Sequence, residues 1–561
     1  MNWTAPTTRS SYLLAILSGV LLALAFPPMG FSGGMLAFVA LVPLLIALND
    51  TKSLGQTFKL SFVSMFILGI VANYWVGGWT LNDPFMMMGG ALLAIVHPFF
   101  LIVPFLLYDI TRRRFGDRIA LYSLPVFYAG FEYWHSFGDL AYPWLSLYNT
   151  QTYNLAFDQF IEYTGPFALT ILVVLVNVEI FQLLRGTFSS ARVLKHLVAI
   201  ILLLGIPYLY GTYATQQHEY SHTSLRVTIV QPNIDPWAKW NTNEQRTLDT
   251  NFSASMTALR QVHDSTDLLL WPEMAITFYI TVAAKADRLK ELYQFVDSIH
   301  HPILTGFPDI EGYVEGKDDI PEDAKLGSPG LYYRDWNAAM LLYRQPHPGS
   351  TMVREAYHKQ KLVPLGEHVP YVEILPFLGK IFHWGVGLGS WNYGTEYEPL
   401  VMPLMGLPDD TASAESKYDT LKIIPTICYE SIYPSYVRKF VDRGANVLAN
   451  ITNDGWFGRS WGPYQHEQFA VLRAIENRRW FVCSANTGVS VIIDDRGRII
   501  KSLPLSIAGS ITGRVPLIER RTLYVAWGDY IAIPSMIYSI AILLYAIATW
   551  TLARYRRRRR G

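Results

Sequence analysis

Apolar residues along this chain follow two regimes. Before about residue 211 they form long blocks; from Ser224 onward they come in short runs separated by polar, helix-patterned stretches. The long blocks fall at 12–26, 35–48, 60–76, 88–107, 119–134, 166–184, 197–210 and, far downstream, 530–552. Crossing a bilayer takes roughly 20 apolar residues of helix. Several blocks are shorter, and flanking aromatic residues at the interface complete them. We read seven membrane spans and, after a long interval, an eighth. The first block is expected to remain as a span, because six more follow it and no small-residue cleavage site closes it.

The interval has a different grammar. Short β-branched runs begin at Leu225, Asp267, Pro302, Ala338, Lys422, Ala445 and Val489. Helices are predicted over 242–263 and 465–479. Near-continuous apolar strands alternating with helices predict a layered α/β fold whose sheet is covered on its faces. The stretches 312–329 and 407–417 are rich in Gly, Pro, Asp, Ser and Ala and read as surface loops. The predicted organisation is a transmembrane region over 1–213, an extramembrane domain over 224–518, and a last span with its tail over 529–561.

Composition agrees with a membrane protein. Of 561 residues, 51% are hydrophobic and 16% charged, more apolar than a soluble domain. A net charge of +1 leaves no global basic field for nucleic acid. What matters is where the basic residues lie. Arg9, then Lys52 and Lys59, then Arg112, Arg113, Arg114 and Arg118, then Arg185, Arg192 and Lys195 occupy alternate loops, and the intervening loops have none. The C-terminus carries Arg554 and Arg556 through Arg560. The positive-inside rule then predicts both termini in the cytoplasm and the α/β domain outside. The arginine tail reads as a membrane-surface anchor. Glu179 falls inside a block, where an ionisable group is a functional suspect; close to the inner end, it is expected to snorkel to the interface.

Three polar segments stand out against the strands. Glu273, in Trp271-Pro-Glu273, follows an apolar run and suits a general base. Lys359 and Lys361, in the segment 357–367, would share one face of a strand, and either could hold an oxyanion or belong to a solvated basic edge. Cys428 closes an apolar strand just before a predicted helix. A free thiol is only a few per cent ionised near neutrality, so a nucleophile there needs a base or a cation. Each residue alone has a plainer reading, namely a solvated Glu, a basic edge and a packed Cys. Together they contain the groups that covalent acyl transfer requires. Cys483 reads as a small buried apolar residue.

These segments, in this order, resemble the nitrilase superfamily with its Glu–Lys–Cys triad. The resemblance implies that Glu273 is the base, Lys359 the oxyanion lysine and Cys428 the nucleophile, and that Glu367 is a supporting carboxylate. It also implies an αββα sandwich for the extramembrane domain. Further motifs narrow it: 25-Ala-Phe-Pro-Pro-28, 142-Tyr-Pro-Trp-Leu-145, 453-Asn-Asp-Gly-Trp-Phe-457, 462-Gly-Pro-Tyr-Gln-His-466 and 486-Asn-Thr-Gly-488. With the membrane region, the whole chain resembles the bacterial apolipoprotein N-acyltransferase family. It departs from that pattern at 147–151, at Leu365 and in the extra loop 407–417.

The family implies ping-pong chemistry in the bacterial inner membrane, with the catalytic domain in the periplasm. A phospholipid acyl donor loads Cys428, and the diacylglyceryl-cysteine amine of an apolipoprotein acceptor receives the acyl chain. Tyr429, Glu430 and Trp240 are expected to line the pocket, with Trp456 and Phe457 on the acyl path or at the bilayer surface. The expected partners are membrane lipids and no nucleic acid, and the expected state is a monomer. No cofactor is expected. His466 alone, without Cys or carboxylate at ligand spacing, is a poor metal donor set, so no metal is expected either. Two alternatives stay open: a membrane-anchored amidase of the same chemistry, and a transporter with an inactive outer domain.

Overall fold

The computed structural model describes residues 7–78, 84–185, 189–217, 223–239, 244–344, 351–372, 374–375, 377, 391–404 and 420–560. The chain divides into two compact units: Met1–Gly77 with Met88–Gln217 and Trp527–Gly561, and Gly78–Met87 with His218–Ala526.

The first unit is helical. Its longer helices are α1 (Thr8–Ala25), α2 (Gly30–Ala40), α3 (Val42–Asn49), α4 (Leu54–Ala72), α5 (Pro84–Leu101), α6 (Val103–Phe115), α7 (Asp117–Trp134), α8 (Phe167–Leu184) and α9 (Ser190–Ala214). The last helix of the chain, Ala532–Arg560, completes it. Among the described residues, seven stretches are long and apolar enough to cross a membrane. Two of them are paired helices read through a break: Gly30–Asn49 and Met86–Phe115. The breaks follow from proline. Pro43 and Pro104 stand in the first turns of α3 and α6, and a proline in mid-helix removes a donor and clashes one turn back. At the first break Asn177 on α8 repairs the ladder, since its Oδ1 accepts from Leu41 N at 2.8 Å and its Nδ2 donates to Ala37 O at 2.7 Å.

The predicted span 119–134 is also helical, but α7 carries Asp117, Arg118 and Glu132 and is not among the seven. Glu132 is buried and accepts from Leu147 N at 2.7 Å and Thr170 Oγ1 at 2.6 Å. The snorkelling expected of Glu179 is not what the structure has. Glu179 is buried, its Oε2 lies 2.5 Å from His196 Nδ1, and its Oε1 accepts from Tyr122 at 2.9 Å. A carboxylate with two partners inside the unit has no need to reach water.

The second unit is a two-sheet sandwich. One sheet holds β1 (Ser224–Gln231), β2 (Leu268–Leu270), β3 (Ile303–Val314), β4 (Lys325–Ser328), β5 (Leu331–Arg344), β6 (Met352–His358) and β13 (Gly509–Pro516), in the order 13-1-2-3-5-4 with β6 also on β5. The other holds β7 (Leu400–Pro403), β8 (Thr420–Ile427), β9 (Val447–Thr452), β10 (Phe481–Ala485), β11 (Ser490–Ile493) and β12 (Ile499–Leu503), in the order 12-11-10-9-8-7. The central strands β1–β2–β3 and β8–β9–β10 pair in parallel, and antiparallel strands flank them. The sheets meet face to face: Ser484 Oγ on β10 donates to Val230 O on β1 at 3.0 Å. The helices Glu244–Gln261 and Ala286–Ile299 cover the first sheet through Leu248, Leu259, Leu292 and Val296. The helices Pro434–Asp442 and Trp461–Asn477 pack against the second.

Two predictions on this unit need correction. The stretch 312–329 is not loop throughout, because β3 runs to Val314 and β4 spans Lys325–Ser328. Lys359 and Lys361 do not share a strand face, because β6 ends at His358. The extra loop at 407–417 and Trp240 lie outside the described residues.

Candidate active site

The site is assembled from the ends of strands belonging to both sheets. Beyond β2 the chain turns at Trp271-Pro272, which leaves Glu273 in a tight bend over β3. Gly306 makes that bend possible: a Cβ there would lie 2.5 Å from Met274 N and 2.8 Å from Glu273 Cα. Lys359 follows the last residue of β6 and is completely buried. Its Nζ donates to Glu367 Oε1 at 2.7 Å and to Glu273 Oε1 at 3.4 Å. Asn337, in the middle of β5, bridges the same two acids, with Nδ2 2.7 Å from Glu273 Oε1 and 3.0 Å from Glu367 Oε1. Glu367 turns its other oxygen to Val363 N at 2.9 Å, which ties the lysine to the loop that follows it.

Cys428 stands where β8 turns into a single 3-10 turn, Cys428–Ile432. Its φ is +51°, a region that non-glycine residues seldom occupy, and the residue as a whole is partly exposed. Such strain persists only where the surroundings enforce it. Glu430 does so here. Fully buried, it accepts from Ile427 N at 2.9 Å, which closes the elbow, and from Gln360 N at 2.6 Å and Lys361 N at 3.1 Å. Tyr357 and Tyr436 hydroxyls donate to it at 2.7 and 3.0 Å. One carboxylate thus fastens the Cys428 turn to the segment that carries Lys359. Tyr429 is buried beside it, edge-on to Tyr433 at 5.2 Å. Lys361 instead points its ammonium at the Tyr433 ring, 5.2 Å from the centroid.

Charge tunes the groups against one another. Burial pushes the Glu273 carboxyl up, and the nearby Glu367 adds to this, while Lys359 and Asn337 pull it down; the net is upward. Lys359 is raised: burial works against its charge, and Glu367, Glu273 and Cys428 outweigh it. Burial and the Glu273 charge push the Cys428 thiol up, opposed by Lys359. The resting state is therefore a protonated thiol, a fixed cation and a carboxylate shifted toward neutrality. A carboxylate of that kind is suited to take a proton at the moment of attack.

Residues outside the three marked segments also meet here. Lys239 is buried, with Nζ 3.4 Å from Glu273 O, and burial lowers its pKa to about 8. His466 has no Cys or carboxylate at ligand spacing in the sequence. In space one of its ring nitrogens, a carboxylate oxygen of Asp454 and Cys428 Sγ all lie within 4.8 Å of one another. Both nitrogens are engaged, Nδ1 with Asp454 at 3.0 Å and Nε2 with Cys428 O at 3.0 Å, so neither has a lone pair to offer a metal in this state. Trp456 packs edge-on against Trp237 at 5.0 Å. The sequence did hold one signal: Asn337 interrupts an apolar strand, and a buried strand amide needs a partner.

Two family models match the chain. Residues 18–178 match the apolipoprotein N-acyltransferase N-terminal domain and residues 226–523 match carbon-nitrogen hydrolase. An apolipoprotein N-acyltransferase of Chlorobaculum tepidum is 33% identical over 544 residues, 96% of each chain. The chain belongs to the apolipoprotein N-acyltransferase family. A second relative of that name, from Geobacter metallireducens, is 32% identical over 93% of each chain. Among solved structures, an amidase from Nesterenkonia sp. AN1 aligns with 56% of this chain and 95% of its own at a TM-score of 0.34 and 16% identity, too slight a likeness to inform the site. A membrane protein of this family has lipid and lipoprotein as its substrates, and the nitrilase-type domain is where its nucleophile is to be sought.

Proposed function

We propose that this chain transfers an acyl group from a phospholipid to the N-terminal α-amine of a diacylglyceryl-cysteine apolipoprotein, through a thioester on Cys428. The observation that carries the reading is the convergence of Glu273 and Lys359, 3.4 Å apart, with both bearing electrostatically on Cys428. In the first half-reaction Glu273 takes the thiol proton as Sγ attacks the ester carbonyl. Lys359 and the backbone N–H of Tyr429 hold the oxyanion. Collapse breaks the ester C–O bond, and the departing alkoxide of the lysophospholipid takes the proton from Glu273. In the second half-reaction the amine attacks the thioester, Glu273 removes its proton, the S–C bond breaks, and the Cys428 thiolate recovers the proton. No cofactor enters either step.

Glu367 and Asn337 orient the base and the lysine, Glu430 fixes the elbow, and Tyr429 borders the pocket. A catalytic domain resting on a bilayer avoids drawing acyl chains into water, which disfavours transfer by roughly 0.8 kcal/mol per exposed CH₂. The loop charges support a periplasmic domain, cytoplasmic termini and an inner-membrane location, with the boundaries 1–213, 224–518 and 529–561. We take the working unit to be a monomer.

The test is a two-substrate assay with the full chain in detergent, phospholipid and a diacylated lipopeptide. Triacylated lipopeptide and lysophospholipid in equal amounts support the reading. Free fatty acid alone would mean an amidase-type hydrolase, and full activity in Cys428→Ser would favour a binding role.

A further inference from the structure

The Cys428 carbonyl belongs to the same peptide unit as the Tyr429 N–H, so whatever holds the one aims the other. That carbonyl is held from behind. His466, buried on the helix Trp461–Asn477, has Nε2 3.0 Å from Cys428 O, and Ser431 Oγ donates to the same oxygen at 3.0 Å. Ser431 Oγ and His466 Nε2 are 2.9 Å apart. The ring's other nitrogen faces Asp454 Oδ1 at 3.0 Å, and that oxygen also accepts from Thr452 Oγ1 at 3.0 Å. Asp454 is itself buried and packed tightly: a Cβ on Gly488 would lie 2.6 Å from its Oδ2.

The proton positions follow from the partners. A carbonyl oxygen only accepts, so Nε2 carries a hydrogen. An ionised Asp454 only accepts, so Nδ1 carries one as well. The ring is then an imidazolium paired with a carboxylate. Consistently, burial pushes the His466 pKa down, but the Asp454 charge and its hydrogen bonds to Asp454 and Cys428 O bring the net upward. A charged donor on a peptide carbonyl strengthens what the N–H of that peptide can give, because hydrogen bonds in a chain polarise one another.

We propose that His466, held by Asp454, is a positioning residue for the oxyanion site: it fixes and polarises the Cys428–Tyr429 peptide that stabilises the tetrahedral intermediate. This rests on the reading of Cys428 as the acyl-accepting nucleophile. It assigns His466 a role in carbonyl attack and none in the intrinsic reactivity of the thiol. Those two properties can be measured separately. Alkylation by iodoacetamide breaks a C–I bond and forms no oxyanion. Acylation by p-nitrophenyl butyrate passes through one and needs neither phospholipid nor apolipoprotein.

The experiment compares the full-length wild type, His466→Ala and His466→Gln in detergent, with both reagents and with a melting curve for each protein. Loss of a well-placed oxyanion donor slows acyl transfer by about 10²–10³-fold. We expect His466→Ala to acylate Cys428 about 10–100-fold more slowly, a part of that range because Lys359 remains. Its alkylation rate is expected to stay within about threefold of wild type, as oxyanion-independent chemistry requires. His466→Gln keeps a neutral donor and should fall between the two. It also carries the test if the alanine variant does not fold. Equal losses in alkylation and acylation, or unchanged acylation in both variants, would overturn the proposal. A wild type that neither reagent modifies at Cys428 would overturn the nucleophile itself, which is a different failure.

Discussion

Glu273 is the residue whose environment makes the sharpest demand. As the proposed base it must be ionised to accept the thiol proton, and burial beside Glu367 raises its pKa above the usual 4.5 while Lys359 restrains the rise. The sign follows directly. Acylation of Cys428 should fall as pH drops through a midpoint above the ordinary carboxylate range, and Glu273→Gln should abolish that limb. The variant should be slower by about 10²–10⁴-fold, the usual contribution of a general base. Acylation rates measured across pH check this, and a midpoint at an unshifted carboxylate value would contradict it. At this scale the sequence was legible where a residue's neighbours in the chain mark it. Cys428, Glu273 and Lys359 sit in recognisable segments. Asn337 and Lys239 do not, since their partners lie 30 or more residues away. Asp454 sits in the 453–457 motif, but its pairing with His466 is seen only in the fold. Strand alternation alone did not separate Lys361 from Lys359; the family motif selected Lys359, and the fold buries that one among carboxylates and sets Lys361 over a tyrosine ring.

Among the elements, the contact between α7 and the last helix depends on one glycine. At Gly130 a Cβ would lie 2.6 Å from Ser535 O and 2.7 Å from Met536 N, so the helix backbones touch. Ser123 and Tyr538 hydroxyls, 2.8 Å apart, mark the same seam. Gly130→Ala must push the helices apart, and overpacking of that kind destabilises by about 1–3 kcal/mol. Gly205, on α9, has nothing within 4 Å of its would-be Cβ. There alanine should be neutral or stabilising by up to about 1 kcal/mol, from helix propensity alone. Melting curves in detergent decide the matter, and equal effects at the two sites would contradict the seam. Elements that bury a continuous apolar face, such as β1, β8 and the membrane helices, announce themselves in the pattern. Strands β4 and β12 are mostly exposed and carry little of that signal. The breaks at Leu41 and Ile102 were invisible to a hydropathy reading, because a single proline leaves the mean of a long apolar block high while it changes the local geometry.

For the whole molecule, a helical unit and a sandwich of two sheets occur in one chain, and the proposed catalytic residues come from strand ends in both sheets. The division between long apolar blocks and short strands was plain in the sequence. Which strands lie side by side was not, because parallel pairing joins segments far apart in the chain. The central claim is that Cys428 carries an acyl group between two lipid substrates, and intact-mass spectrometry tests it most directly. Incubated with phospholipid vesicles, the full chain should gain the mass of one acyl chain on Cys428. Hydroxylamine should remove that mass, and so should a diacylated lipopeptide, which becomes triacylated. A chain that gains no mass, or gains the same mass as Cys428→Ala, would contradict the account.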